Sequence, residues 1–522
     1  MNAPNYHHLR RHAARPLDVA IVGMACRFPG SPDLASFWAN ILAGRDCTSE
    51  VPADRWDSSV FHDPSSTAND RVACKRGGYL DAPIPFDAAA NGVMPVAVDG
   101  GEPEQFLVLD AARAALADAG IAEDSLDGRR VEVVVGRGNY LNRGNLTRLQ
   151  HGRIVAQTLA VLRSLHPEWT EADLDAIRLD LKSSLPRFDA ATVPSQITNA
   201  TAGRVAGRLG LNGASYVVDA ASASSLVALE LAARSLAERR SDAAIVGGVY
   251  IQSDVDFPMV FQQLGALSRS GRARPFDADA DGTLPGEGVG VVVLQRLADA
   301  QRSGRRVYAV LKGVGVASDG RGQGIASPSA KGHARAMRRA YTSSGVNPST
   351  IGLIEAHGLG VPAADRAELR ALRAVFPPSS RRRLGAVSSL IGHAMPASGM
   401  AGLIKSALSL HHRMLPASPA VGTAHPLLLG PDVPAGLGPE TRPWVHGVED
   451  HPRRAAINAF GFAGINAHAI LEEHSPSADG PTPGAMLDWE TEAILLGDPT
   501  AGRGASWPRP SSAGSTASRP RR

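Results

Sequence analysis

The stretch VVDAASASSLVALELAARSLAERR, Val217 to Arg240, decides how this chain folds. Tyr216, Val217 and Val218 form a short apolar strand, which Asp219, Ala220 and Ala221 bring to an end. Small hydroxyl residues follow, Ser222, Ser224 and Ser225. Leu226, Leu229, Ala233 and Leu236 then recur at helical spacing and give the segment one buried face. Ser222 is therefore expected at a strand-to-helix turn, where unpaired helix N–H groups and the positive end of the dipole favour developing negative charge. A nucleophile fits such a turn, and so does a plain helix cap.

Outward from this turn the chain repeats one layout twice. The first half offers strands at DVAIVGM, VEVVVGRG, ASYVVDA, AAIVGGVYI and GVGVVVLQRL. The second offers YAVLKGVGVASDG, IGLIEAHG, LGAVSSL, AAINAFGF and NAHAILEE. Short Val/Ile-rich, Gly-bounded runs with helices between several of them predict buried sheets covered by helices. In each half the third strand leads to a long amphipathic helix. The second such helix follows SSLIGHAMPASG, with Met400, Leu403, Ile404, Ala407 and Leu408 on one face. Pairing the halves about a pseudo-twofold axis brings the two helix starts together, so that Ser222 faces His393.

Composition narrows the function classes. The chain has 522 residues, 43% hydrophobic and 20% charged, which suits a globular protein with a large core. With 54 Lys plus Arg against 51 Asp plus Glu, the net charge is only +3, which gives no sign of a nucleic-acid binder. No apolar run approaches the ~20 residues of a membrane helix. The N-terminus, MNAPNYHHLRRHAARP, lacks the apolar core of a signal peptide. Cys26, Cys47 and Cys74 make no metal spacing and no even disulfide set, so a reducing cytoplasm is expected. Residues 1–16 are expected to be a disordered arm, 17–297 and 298–474 the two halves, and 475–522 a mostly disordered tail interrupted by MLDWETEAILL.

Chemistry gathers at three places besides Ser222. His357 directly follows a strand, His393 precedes a helix, and NAFGFAGINAH is a Gly-rich segment between two strands. A lone histidine is more often structural than catalytic. Two at strand exits beside a hydroxyl nucleophile form the set that acyl chemistry needs. Backbone N–H groups from the Ser222 helix start and the Gly461–Gly464 loop are placed to hold an oxyanion.

These stretches together resemble a β-ketoacyl synthase of the modular polyketide and polyunsaturated-fatty-acid synthase type. VAIVGMACRFPG and EVPADRWD are close to that family's N-terminal signature. RPFDADADGTLPGEGVGVVVLQRL, EAHG, IGH, AGLIK and NAFGFAGINAHAILEE match its later landmarks in order. The resemblance implies a thiolase fold, two similar α/β halves in an αβαβα five-layered sandwich. It also implies an acyl carrier protein as partner, substrate carried on that partner's phosphopantetheine arm, no bound cofactor or metal, and a dimer with itself or with an active ketosynthase. It makes Ser222, His357 and His393 the catalytic set, gives oxyanion or substrate contacts to Phe462, Gly464 and Asn466, and leaves Asp365 and Glu368 in support. MLDWETEAILL resembles the start of the linker after such a domain.

The departures from the family pattern are specific. Its nucleophile is the Cys of a motif close to D-T-A-C-S-S-S-L, and Asp219 to Leu226 place Ser222 there. A hydroxyl needs a general base where a thiol is partly ionised near neutral pH, so acyl transfer to Ser222 should be slow. The two threonines of E-A-H-G-T-G-T, which help hold the pantetheine arm, are Leu359 and Val361 here. The Lys and Asn of K-S-N-I-G-H are Ser388 and Leu390, and the Gly and Pro of G-D-P-x-E are Ala364 and Arg366. DADADG, Asp277 to Gly282, begins like a calcium loop but has Gly288 where a bidentate Glu is needed. GEGVGV lacks the dinucleotide-binding spacing. Three functions fit: a decarboxylating, condensation-poor ketosynthase; a non-catalytic partner like the chain-length factors; and a serine acyltransferase or hydrolase using Ser222.

Overall fold

The computed structural model describes residues 18–474, except short segments at 82–83, 127–129, 139–142, 322–323, 325, 420 and 447–450. The expected arm 1–16 and the tail 475–522 with its MLDWETEAILL stretch lie outside the described residues. Ten strands make the main sheet. They are β1 (Val19–Arg27), β2 (Val131–Gly136), β3 (Ser215–Val218), β4 (Ala243–Tyr250) and β5 (Gly288–Arg296), then β6 (Ala309–Ser318), β7 (Leu353–Glu355), β8 (Arg383–Gly385), β9 (Arg454–Gly461) and β10 (Ile465–Glu472). The eighth is shorter than LGAVSSL suggests, because Ser388–Ile391 turns into a helical step.

The strand order is β8-β7-β9-β10-β6-β1-β5-β4-β2-β3. Outward from the centre, each half follows the same path: β1-β5-β4-β2-β3 and β6-β10-β9-β7-β8. Pairing senses also match, with two antiparallel ladders and then two parallel ones in each half. The halves join where β1 and β6 pair at Val19–Leu311, Ala20–Val310 and Ile21–Ala309.

Side-chain alternation along the strands builds the layers. Val133 and Val291 face outward onto α1 (Pro103–Asp118) and, with α4 (Ala200–Arg208), form one outer layer. Val134 and Val292 face inward onto α5 (Ser224–Ala237) and α8 (Ser398–His411). Ile457 of the second half reaches the same two helices from the other side, while Ala456 turns outward toward α6 (Ala330–Ser344) and α7 (Pro362–Val375). The result is a thiolase-like α/β fold.

One expectation about α5 needs correction. The spacing predicts a single buried face, yet Ala228 and Ala232 are buried as fully as Leu226, Leu229, Ala233 and Leu236. A helix packed between the two halves of the sheet has little surface left for water. The sequence reading also did not anticipate a helical hairpin, α2 (Val155–Leu165) and α3 (Glu171–Ser183), which buries only Val155 and Leu174. Thr170 starts α3 by a reciprocal capping box with Asp173. Among the described residues no helix is long and apolar enough to cross a membrane.

Candidate active site

Between β3 and α5 the backbone is strained. Ala221 sits at φ 49°, a left-handed conformation uncommon for alanine. Ser224 Oγ holds the turn by accepting from Ala220 N at 2.8 Å and donating to the Ala221 carbonyl. Ser224, not Ser222, therefore ties the helix start, and the Ser222 side chain is free to point elsewhere. It is buried and meets His393, with Oγ 2.8 Å from Nε2. His393 arrives from the second half, its backbone N donating to Leu284 O at 2.7 Å and its carbonyl accepting from Gly286 N at 2.9 Å.

His357 completes the cluster, its ring centroid 5.0 Å from that of His393 and perpendicular to it. Two carboxylates of α7 hold its loop. Glu368 accepts from His357 N at 2.9 Å and Gly358 N at 3.0 Å. Asp365 accepts from Phe276 N at 2.8 Å and Gly360 N at 3.1 Å. Burial raises both carboxyls, Asp365 to about 7, against the lowering effect of those N–H donors. Glu368 also accepts from Asn458 Nδ2 at 2.8 Å, and Asn458 Oδ1 lies 2.6 Å from His468 Nδ1. Asp365 and Glu368 thus anchor the backbone of the His357 loop, and both also line the cleft into which His357 opens.

Burial favours the neutral form of both His357 and His393. It pulls His357 down to about 4, and burial with His357 nearby takes His393 well below its ordinary value. His393 Nδ1 is buried and has no hydrogen-bond partner among the described residues. An orphaned buried N–H costs more than an orphaned lone pair, which assigns the proton to Nε2. His393 Nε2–H then donates to the Ser222 hydroxyl. Among the described residues no carboxylate orients this imidazole, as a Ser-His-Asp arrangement requires.

Ser222, His357 and His393 open into one cleft of about 200 Å³. Phe462 and Gly464, on the turn between β9 and β10 where Ala463 has φ 62°, line it as well, as does Asn466 at the start of β10. The Asn466 amide is already engaged, with Nδ2 2.7 Å from Asp319 Oδ1 and 3.3 Å from Ala317 O and Gly464 O. Its role is thus to fix Asp319. Leu359, Val361 and Leu264 make the rest of the lining largely apolar. None of the three cysteines lines the cleft, and burial pushes all three thiols up. In DADADG, Asp277 accepts from Asp279 N and Gly422 N while Asp281 accepts from Ser268 and Ser270, so its first and third carboxylates serve the loop itself.

Family models match twice, "Beta-ketoacyl synthase, N-terminal domain" over residues 17–300 and "Beta-ketoacyl synthase, C-terminal domain" over 308–421. The chain belongs to the β-ketoacyl synthase family. It is 36% identical over 462 residues to a phenolphthiocerol/phthiocerol polyketide synthase component of Mycobacterium tuberculosis, covering 88% of this chain and 28% of that protein. It is 34% identical over 469 residues to a polyunsaturated fatty acid synthase component of a Thraustochytrium species, covering 88% of this chain and 16% of that protein. The chain thus spans between 16% and 28% of the length of these relatives. Among solved structures, a cysteine-to-serine variant of the ketosynthase from module 6 of the Bacillus subtilis bacillaene synthase is similar at 29% identity and TM-score 0.75, covering 88% of this chain and 72% of that one. An oxazolomycin ketosynthase domain from Streptomyces albus is similar at 32% identity and TM-score 0.75, covering 89% and 75%.

Three features of this β-ketoacyl synthase site escaped the sequence reading. Lys405 Nζ lies 2.7 Å from Glu355 Oε2, an ion pair buried behind His357. Ser388 donates to the Gly358 carbonyl beside a void of about 10 Å³. His333 of α6 stacks on Phe460 at 3.8 Å and lines the cleft as a third imidazole. Lys405 stood inside a recognised landmark without a visible partner, and a histidine within a helix carries no motif.

Proposed function

We propose that this β-ketoacyl synthase decarboxylates malonyl groups delivered on the phosphopantetheine arm of an acyl carrier protein, and condenses poorly. In this reading Ser222 stands where family members carry a cysteine nucleophile. The observation that carries it is the 2.8 Å contact between Ser222 Oγ and His393 Nε2, taken with the unpartnered His393 Nδ1 that puts the ring proton on Nε2. The imidazole donates, so the hydroxyl gains no base and stays a weak nucleophile.

Decarboxylation needs no nucleophile. The bond between the carboxylate and the α-carbon breaks, carbon dioxide leaves, and the electron pair becomes an enolate with its charge on the thioester oxygen. His357 and His393, neutral N–H donors side by side, stabilise that oxygen. Water then supplies the proton that gives the acetyl thioester. A second reading, a non-catalytic partner of an active ketosynthase, draws support from Leu359, Val361 and Ser388. The serine hydrolase reading is weakened by the missing carboxylate at His393 Nδ1. In both surviving readings the protein is a dimer, and the half-buried edge strand β3 offers a place for pairing.

Incubation with malonyl-carrier protein, with mass spectrometry and carbon dioxide capture, tests the proposal. Slow conversion to acetyl-carrier protein is expected, with His357→Ala and His393→Ala each lowering the rate by about 100-fold. Equal rates in the wild type and both variants would remove the mechanism, and no turnover at all would favour the partner reading. Sedimentation, alone and with a ketosynthase from the same pathway, tests the dimer; monomers in both samples would refute it.

A further inference from the structure

His333 of α6 and Asp319, which packs against Gly332 of that helix, both line the cleft. His333 is 3% exposed, and its ring is fixed by the parallel stack on Phe460, 7° between planes. Its Nδ1 is buried without a partner among the described residues, so, as for His393, the proton rides on Nε2, the nitrogen left to the cleft. The ring is neutral across the physiological range, since burial and the neighbouring His357 pull it down to about 3.

Asp319 sits against the preceding residue of the same helix. A Cβ on Gly332 would stand 1.8 Å from Asp319 Oδ1, and one on Gly464 2.9 Å from Oδ2. Two glycines therefore make room for this carboxylate. Oδ1 accepts from Asn466, which leaves Oδ2 to the cleft that Asp319 lines. The cleft lining thus holds one N–H donor and one carboxylate acceptor, together with apolar Leu359 and Val361. A secondary amide presents the complementary pair, one carbonyl and one N–H.

We propose that His333 and Asp319 form an amide-reading station in the cleft, with His333 Nε2–H donating to an amide carbonyl of the incoming arm and Asp319 accepting from its N–H. The station takes over positioning that Leu359 and Val361, having no hydroxyls, do not provide. The inference rests on the proposed use of a pantetheine-borne substrate, but concerns binding of the arm and not loss of carbon dioxide.

The test uses two probes on the intact protein: S-acetyl-pantetheine, whose arm carries amides, and an S-acetyl alkanethiol of equal length, which has none. Titration by calorimetry or NMR should show the wild type preferring the pantetheine probe. His333→Ala should reduce that preference about tenfold, the effect of one hydrogen bond left unmade, and His333→Gln should restore part of it. Asp319→Asn should reduce it as well. Circular dichroism confirms that each variant is folded, and histidine ring NMR reads the tautomer directly. A preference unchanged in folded His333→Ala, or an Nδ1–H tautomer in the wild type, would overturn the station. Decarboxylation without any effect of His333 on the preference would leave the proposed function standing and remove this inference. Preference without decarboxylation would do the reverse.

Discussion

Ser222 Oγ lies 2.8 Å from His393 Nε2, so with the ring proton on Nε2 the hydroxyl competes with substrate for a donor. Removing the competitor frees that N–H. Ser222→Ala is expected to raise malonyl decarboxylation roughly two- to tenfold, the range of one modest hydrogen bond. Carbon dioxide release measures it, and a large loss of rate would mean that Ser222 takes a chemical part.

Ser222→Cys introduces a thiol at the strained turn with little change in volume. Acyl loading, read as a covalent adduct by intact-protein mass spectrometry, should appear. Condensation should stay low, because Leu359, Val361 and Ser388 remain. Full condensing activity from this single change would show those three residues to be harmless.

His468 gives a pH prediction whose sign is fixed by burial. Folding lowers it from 6.5 to about 3, so between those values the unfolded chain holds a proton that the folded one lacks. Stability from this group is complete above about pH 6.5 and is lost as pH falls. His468→Gln, which cannot take up that proton, should be less stable than wild type at pH 7. The gap should narrow by about 2 kcal/mol by pH 5. Urea unfolding at both values decides it, and a constant or widening gap would refute the assignment.

Lys405 and Glu355 stand or fall together. Lys405→Met leaves the Glu355 carboxylate buried without its cation, a change that typically costs about 3–5 kcal/mol. Adding Glu355→Gln should recover much of it. Chemical denaturation of single and double variants checks both steps, and a single-variant loss below about 1 kcal/mol would place the pair nearer to water than its burial implies.

Much of this arrangement was legible because it follows from period and order. Val133 and Val134 alternate, Leu226 and Leu229 repeat, and the recurrence of strand–helix units pairs Ser222 with His393. What stayed hidden depends on three-dimensional neighbours. His333 occupies an ordinary helix position, and only its stack on Phe460 brings it to the cleft. Asn466 reads as a candidate substrate contact, but its amide turns to Asp319. Net charge is a sum over the chain and misses placement. It gives no hint that Lys331, Arg335, Arg338, Arg339, Arg370 and Arg234 line a single groove beside α6.

The palindromic strand order has a consequence for biosynthesis. Ser222 and His393 are 171 residues apart, and each belongs to a different half of the sheet. A ribosome that has released the first five strands has made the hydroxyl and none of the imidazoles that surround it. On the proposed function, the nascent chain lacks the paired imidazoles until the second half emerges and docks through β1 and β6. Docking is also what removes the inner faces of both halves from water, so assembly of the Ser222–His393 pair and burial of the central core arrive in the same step.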